Sequence, residues 1–455
     1  MKRFIIPVVF VFLFFNLSHA QDNSTLRFTI KEARDFALEN NRSVQTANLD
    51  LNIANQKIRE NLSTGLPQLS IDANYLHQFT IPEVSFGPVF NVQSLPAGPI
   101  TGEDVRNAYI AGPPIKLGVR DNTVIDFTLS QLVFSGQYLI ALKTAKIVRE
   151  LSEKSVAKTS DKVKQDVEVA YYSILVLQEN IRLLKETETS LARMYDEISG
   201  MNQQGLNEET DVDQVNVNMS NVHALVTSME LQLDVAYKQL RYLLGVDFDR
   251  QIELADSLNS FVEEENLMYL SQNEFNIDNS LDFQMINIQE NVNEKVVSLE
   301  KSKYLPTISA FYRHEEQTNQ PAFNFAVKDV IGATFNLPIF SGGLRSSRVN
   351  QAKSELQKTR LSKQDSELGL TMEYENARNN YQTAYSNFQI NRQSMDLSKK
   401  IYDRTFIKYR EGVSSSIELT QVQNQFITAE SNYYNSMLSL LRSKAELDRI
   451  LRINQ

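Results

Sequence analysis

From Leu69 onward apolar and polar residues alternate: Leu69, Ile71, Ala73, Tyr75 and Phe79 against Ser70, Asp72, Asn74 and Gln78. The same period runs through Asn122 to Phe134, where Ile125, Phe127, Leu129 and Val133 alternate with Asp126, Thr128 and Ser130. It returns as Ile331, Ala333, Phe335, Leu337 and Ile339 against Thr334 and Asn336. A period of two places one kind of side chain on each face of a strand. Strands are therefore predicted over about 66–80, 122–134, 305–318 and 328–340. A single such strand would equally suit the half-buried sheet of a soluble protein.

Elsewhere the period is helical. No proline falls between Gly136 and Gly205 or between Gly343 and Gly412. Each stretch is about 69 residues, roughly 100 Å if helical throughout. Beyond Gly412 apolar residues recur at spacings of three and four, through Leu419, Val422, Phe426, Ala429, Tyr433, Met437 and Leu440. The first half carries Val212, Val215, Met219, Val222 and Val226 in the same rhythm. That spacing predicts coiled-coil packing, which alone would also fit a structural scaffold. Shorter helices are expected over about Leu206 to Leu244 and Leu281 to Tyr304, around an acidic segment that includes Asp247, Asp249, Glu253, Asp256 and Glu263 to Glu265. A helix over about Thr29 to Thr64 can stack in the same way on one from Ser415 to Ile450. Hairpins at one end and helix turns at the other describe a long, narrow object.

The chain repeats itself. Leu66-Pro67-Gln68-Leu69-Ser70 recurs 239 positions later as Leu305-Pro306-Thr307-Ile308-Ser309, and Val133-Phe134-Ser135-Gly136 recurs 206 later as Ile339-Phe340-Ser341-Gly342. Tyr195, Asp196, Gly205, Gln214 and Val215 recur 207 positions later as Tyr402, Asp403, Gly412, Gln421 and Val422. The drop in offset leaves the first copy about 33 residues longer between Pro67 and Phe134. The surplus falls in 82–120, where six prolines and several glycines predict a long loop. The organisation expected is a first repeat over 21–245, an acidic equatorial segment over 246–280 and a second repeat over 281–455.

Residues 1–20 read as a secretory signal: Met1-Lys2-Arg3, an apolar run from Phe4 to Leu17, then Ser18-His19-Ala20 for cleavage. Removal of Lys2 and Arg3 takes the formal charge from −10 to −12, which disfavours nucleic acid as a partner. With no cysteine, neither disulfides nor a thiol site are available. No later stretch approaches the twenty or so apolar residues of a spanning helix, so residence in a membrane would require a β-barrel. Four strands are too few to close one, and barrels begin at about eight. Insertion then requires an oligomer.

The signal, the tandem repeat, Leu-Pro-x-[Leu/Ile]-Ser opening each hairpin and [Val/Ile]-Phe-Ser-Gly closing it together resemble the TolC-like outer-membrane efflux family. Thr29-Ile30-Lys31-Glu32-Ala33 through Asn40-Asn41 is similar to that family's N-terminal signature. The resemblance implies a mainly helical protein with a small β part. Three copies would form a twelve-stranded outer-membrane barrel in lipid, continuous with a periplasmic helical barrel. It implies a passive exit duct of tripartite efflux or type I secretion, with a periplasmic adaptor and an inner-membrane pump of RND or ABC type as partners. A periplasmic coiled-coil scaffold or adaptor without a barrel is the alternative, disfavoured by the four alternating strands. An exported hydrolase finds no nucleophile–base arrangement.

His19, His77, His223 and His314 are scattered without ligand spacing, so neither metal nor cofactor is expected. Polar residues gather where the long helices turn back. As a plain turn, Thr210 or Ser415 would cap a helix, with acids favoured in the first turn. By resemblance, Thr210, Asp211 and Glu418, together with Asp213, Tyr409 and Gln421, belong to the constricted periplasmic mouth, and threefold symmetry would turn each acid into a cation-favouring ring. Gln421 stands where the family has a second acidic ring, and Asp213 is the candidate to compensate. Gly205, Leu206, Gly412 and Val413 match the tips that meet the adaptor.

Overall fold

The computed structural model describes residues 25–85, 87–110, 114–261, 275–320, 324 and 326–452. The expected signal segment and Glu263 to Glu265 lie outside these residues. In chain order the elements begin with β1 (Leu26–Phe28), α1 (Ile30–Asn40), α2 (Arg42–Ser63) and β2 (Gln68–His77). Next come β3 (Glu83–Ser85), β4 (Val89–Phe90), α3 (Gly102–Asn107), β5 (Tyr109–Ile110), β6 (Pro114–Lys116) and β7 (Asp121–Ser135). The long α4 (Gly136–Gln203) precedes α5 (Glu209–Leu244) and β8 (Ile252–Leu254). The second half contains α6 (Leu281–Ser302), β9 (Thr307–Gln317), β10 (Asp329–Asn336), α7 (Leu344–Arg410) and α8 (Ser416–Leu451). The chain divides into two units, one of Met1–Thr46, Ala157–Ser280 and Gly369–Gln455, the other of Ala47–Val156 and Leu281–Leu368.

The second unit contains one antiparallel sheet in the order β10-β9-β7-β2. Its register sorts side chains by polarity. Leu69 faces Leu129, Ile71 faces Phe127, Leu129 faces Tyr312, and Ile331 continues the row beyond Tyr312. On the other surface Ser70 faces Thr128, Asp72 faces Asp126, and Thr128 faces Arg313. Leu69, Ile71, Tyr75, Ile331 and Phe335 are all exposed, so the apolar surface has no cover among the described residues. Among the described residues the outer edges of β2 and β10 carry no strand. An apolar face and open edges of this kind are surfaces that further strands or an apolar medium can cover.

The proline-rich stretch carries structure of its own. β3 pairs with β6 and β4 with β5, and Phe90 meets Tyr109 edge-on at 5.3 Å. Strands of two or three residues are too short to show a period, so the prolines alone were visible in the sequence. On α6, Glu290 receives Arg360 Nε at 2.9 Å and Lys363 Nζ at 3.0 Å, which hold its carboxyl below the usual carboxylate range.

The first unit is helical, with Val167, Tyr171, Ile174, Leu240, Leu244, Leu440 and Leu447 in its core. Thr29 caps α1 through a reciprocal pair: its hydroxyl accepts from Glu32 N, and Glu32 Oε2 accepts from Thr29 N at 2.8 Å. β1 lies parallel to β8, and the buried Tyr171 hydroxyl sits 2.9 Å from both the Phe28 carbonyl and Asp256 Oδ2. The segment from Thr29 to Thr64, expected as one helix, breaks at Asn41, whose ψ of 129° is extended. Asn41 Nδ2 donates to the Leu243 carbonyl at 2.7 Å, and its Oδ1 accepts from Ser43 N at 2.8 Å. Gly245, at φ 72°, closes α5 against this break, and a Cβ there would lie 2.3 Å from the Asn40 carbonyl oxygen. Gly245→Ala is therefore expected to cost at least about 1–2 kcal/mol, from the left-handed backbone and the clash together. Thermal melting of the purified variant checks this, and an unchanged melting temperature would refute the close approach.

Candidate functional site

The two helix turns are built alike. Past α4 the chain turns at Gly205 and past α7 at Gly412, each at φ 73° in the left-handed region where a side chain is costly. Gly205 N donates to the Asn202 carbonyl at 2.8 Å and Leu206 N to Met201 at 3.0 Å; Gly412 N donates to Tyr409 at 2.9 Å and Val413 N to Lys408 at 2.9 Å. This pair of bonds satisfies carbonyls that the helix end would leave open. Leu206 and Val413 follow each turn and are mostly exposed, at 69% and 74%. The capping differs between the copies. Ser415 caps α8 by accepting from Glu418 N at 3.2 Å. Thr210 is not a cap, because α5 begins at Glu209 and leaves Thr210 inside its first turn. The cap position is Glu208, without a side-chain cap bond, and Thr210 Oγ1 instead donates to Glu208 Oε2 at 3.2 Å.

The mouth residues fall into two groups. Asp211 is half-buried and accepts a hydrogen bond from Ser416 Oγ across the two tips. Tyr409 stands near it with a buried hydroxyl that has no hydrogen-bond partner among the described residues. Burial, and secondarily the Asp211 charge, push the Tyr409 phenol above its usual range. These three border a cleft of about 880 Å³ whose rim includes Gly205, Leu206 and Gly412. Glu418 is exposed, and its Oε2 accepts from Ser414 Oγ at 2.6 Å. Thr210, Asp213 and Gln421 are exposed near the starts of α5 and α8, outside the Asp211–Ser416 contact.

Sequence reasoning missed a polar stripe on α8. Ser416, Gln423 and Glu430 recur every seven residues and lead to Met437, and all four are buried. Gln423 and Glu430 are each 1% exposed. Neither polar side-chain atom of Gln423, nor Glu430 Oε2, has a hydrogen-bond partner among the described residues. Asn218 on α5 joins this polar seam, donating to Thr420 Oγ1 at 3.0 Å. The seven-residue spacing was present in the sequence, but it runs beside a stronger apolar stripe. Burial raises the Glu430 pKa to about 7; Lys399 and Arg182 pull it down, and Glu186 and Glu179 push it up.

No group of three or more potential metal ligands occurs among the described residues, and no described helix is long and apolar enough to cross a membrane. Long helices folded back through matching glycine turns, in two copies with strand hairpins, are the fold of an outer-membrane efflux channel. A family model described as outer membrane efflux protein matches residues 117–246 and 276–451, and the chain belongs to that family. The outer membrane protein TolC of Vibrio cholerae is 20% identical over 340 residues, covering 70% of this chain and 74% of that one. The CmeC outer membrane channel of Campylobacter jejuni superposes with a TM-score of 0.71 at 17% identity, over 93% of this chain and 85% of CmeC. The MtrE outer membrane channel of Neisseria gonorrhoeae, solved in its open state, gives 0.69 at 15% identity over 93% and 88%. The protein is thus an outer-membrane channel component with its helical part in the periplasm, and not an enzyme.

The buried Glu430 carboxyl yields a pH dependence. Below its ordinary value of 4.5 it is neutral whether or not α8 is packed; between there and about 7 only the unpacked form ionises. Packing of α8 should therefore weaken as pH rises through that window and level off above it. Melting temperature should fall between about pH 5 and about pH 8, and Glu430→Gln should flatten that part of the profile. A wild-type profile identical to that of Glu430→Gln would contradict it.

Proposed function

We propose that the chain is one subunit of a trimeric duct that passively carries cargo out through the outer membrane, as part of a tripartite efflux or type I secretion machine. The observation that carries this reading is the amphipathic four-stranded sheet with an exposed apolar face and, among the described residues, two bare edges. Lipid satisfies no backbone group, so such a sheet must close on further strands. Three chains supply twelve strands, the number that the family resemblance implies. On this reading residues 1–20 are removed on export, the repeats at 21–245 and 281–455 each give one hairpin to the barrel, and 246–280 is the equatorial segment between them. Detergent-extracted protein should run in native mass spectrometry at three times the mature mass. A uniform monomer or dimer with its strand signal intact would overturn the barrel.

The helix tips are then the periplasmic mouth. Exposed Leu206 and Val413, held out by the turns at Gly205 and Gly412, suit docking of a periplasmic adaptor, which in turn couples to an inner-membrane pump of RND or ABC type. Asp211 and Glu418 would each recur three times around the mouth, with Thr210, Asp213, Tyr409 and Gln421 beside them. Converging carboxylates repel one another and attract cations. Glu418→Ala and Asp211→Ala should weaken block by divalent or trivalent cations and raise resting conductance in planar bilayers. If both variants keep the wild-type cation block, these acids serve only the first turns of their helices, where such an acid contributes about 0.3–1 kcal/mol.

A further inference from the structure

The apolar face of the sheet ends in the same cluster on both hairpins. Tyr75 and His77 close β2, and Asp121 opens β7; Tyr312 and His314 lie toward the end of β9, and Asp329 opens β10. His77 pairs directly with Asp121, and His314 with Asp329. Tyr75 Oη donates to Asp121 Oδ1 at 2.7 Å, and His77 Nδ1 lies 2.6 Å from the same oxygen. In the second hairpin Tyr312 Oη donates to Asp329 Oδ1 at 2.6 Å, with His314 Nδ1 at 2.8 Å. A permanent cation precedes each aspartate, Arg120 or Lys328. The carbonyl of that cation accepts the next strand amide at 2.7 Å in both hairpins, from Gln78 N and from Glu315 N. The two clusters are thus the same arrangement built twice.

Their position is set by the apolar band. On β10 and its extension, Ile331, Ala333, Phe335, Leu337 and Ile339 share the alternation that begins at Asp329. Ten residues at about 3.3 Å, tilted about 45°, rise roughly 23 Å, close to the height of a barrel's lipid-facing band. A polar cluster that ends such a band at the end away from the helices lies at the level of lipid headgroups.

We propose that each cluster seats the phosphate of an outer-leaflet lipid headgroup, between a carboxylate-held imidazole and the neighbouring cation; this rests on the channel reading above. The aspartate orients the ring through Nδ1 and leaves Nε2 as the atom that can meet a phosphate oxygen. Arginine or lysine beside it supplies the charge that phosphate recognition requires. The two sites are not equal. Glu316 Oε2 lies 3.0 Å from Lys328 Nζ and 3.7 Å from His314 Nε2, so an acid already occupies the groups the second site would use. The first hairpin, with His77 and Arg120, is the stronger site.

The test compares retention of phosphatidic acid with that of diacylglycerol of the same chains, counted on the detergent-purified assembly by native mass spectrometry. The wild type should keep phosphatidic acid over diacylglycerol by about tenfold, the scale of one charge-assisted hydrogen bond. His77→Ala should remove more of that preference than His314→Ala, and Arg120→Gln more than Lys328→Gln; the cation variants leave the strands' hydrogen bonds untouched should a histidine variant fail to fold. Equal retention of the two lipids by the wild type, or a preference unchanged in the Arg120→Gln/Lys328→Gln double variant, overturns the proposal. Retained inorganic phosphate without retained lipid overturns it as well. A chain that never assembles or inserts removes the channel reading and this proposal together, whereas an inserted trimer without lipid preference removes this proposal alone.

Discussion

An antiparallel sheet that is apolar on one face and, among the described residues, unpaired at both edges leaves its backbone and its side chains unsatisfied. Leu69, Ile71, Ile331 and Phe335 find no cover among the described residues, and β2 and β10 each present a row of backbone groups. Every backbone amide left unpaired away from water carries a penalty comparable to a lost hydrogen bond. Much else follows from this constraint. The alternation is kept along each strand of the sheet, and on the proposed channel reading further chains would complete the pairing. The helical unit works under a looser rule, because its backbone is satisfied within each helix. It tolerates a break at Asn41 and buried polar residues on α8.

What was legible in the sequence followed from strict periodicity. Alternation through Leu69 to Tyr75 and Ile125 to Leu129 corresponds to β2 and β7, because a one-residue slip would exchange the two faces. The glycines at 205 and 412 announced the turns because left-handed backbone selects for them. Less legible was whatever depends on distant partners. Asn41 breaks its helix through a bond to Leu243, 202 residues away, which no local pattern encodes. His77 and Asp121 are 44 residues apart, so the histidines looked scattered until the register joined them. Thr210 resembled a cap because residue type was visible and the helix start was not.

The buried polar seam of α8 is informative for the opposite reason. A coiled coil stabilised by apolar contacts alone would fix its partners firmly. The Gln423 amide and Glu430 Oε2, buried without hydrogen-bond partners among the described residues, make α8 a less firmly held helix than its apolar stripe implies, and buried polar positions cost stability while restricting register. In the same unit Asp211 and Ser416 bridge the two tips by one hydrogen bond between side chains at the end of that seam. The tips are thus joined by a polar contact beside an apolar cluster that includes Ile198, Val215 and Leu419.

The seam between β7 and β9 has a different kind of consequence. It pairs the second strand of one copy with the first strand of the next, over eleven matched residues from Val124 with Gln317 to Ser135 with Thr307. A half-length chain forming rings of identical subunits would need that same contact between separate molecules. Tandem fusion has turned an encounter between molecules into a fold within one, so the seam forms at the high effective concentration of a linked pair. The duplication also freed the copies to diverge. One hairpin could gain the 82–120 appendage and the other the Glu316–Lys328 pair, differences that a ring of identical half-chains could carry only on every member.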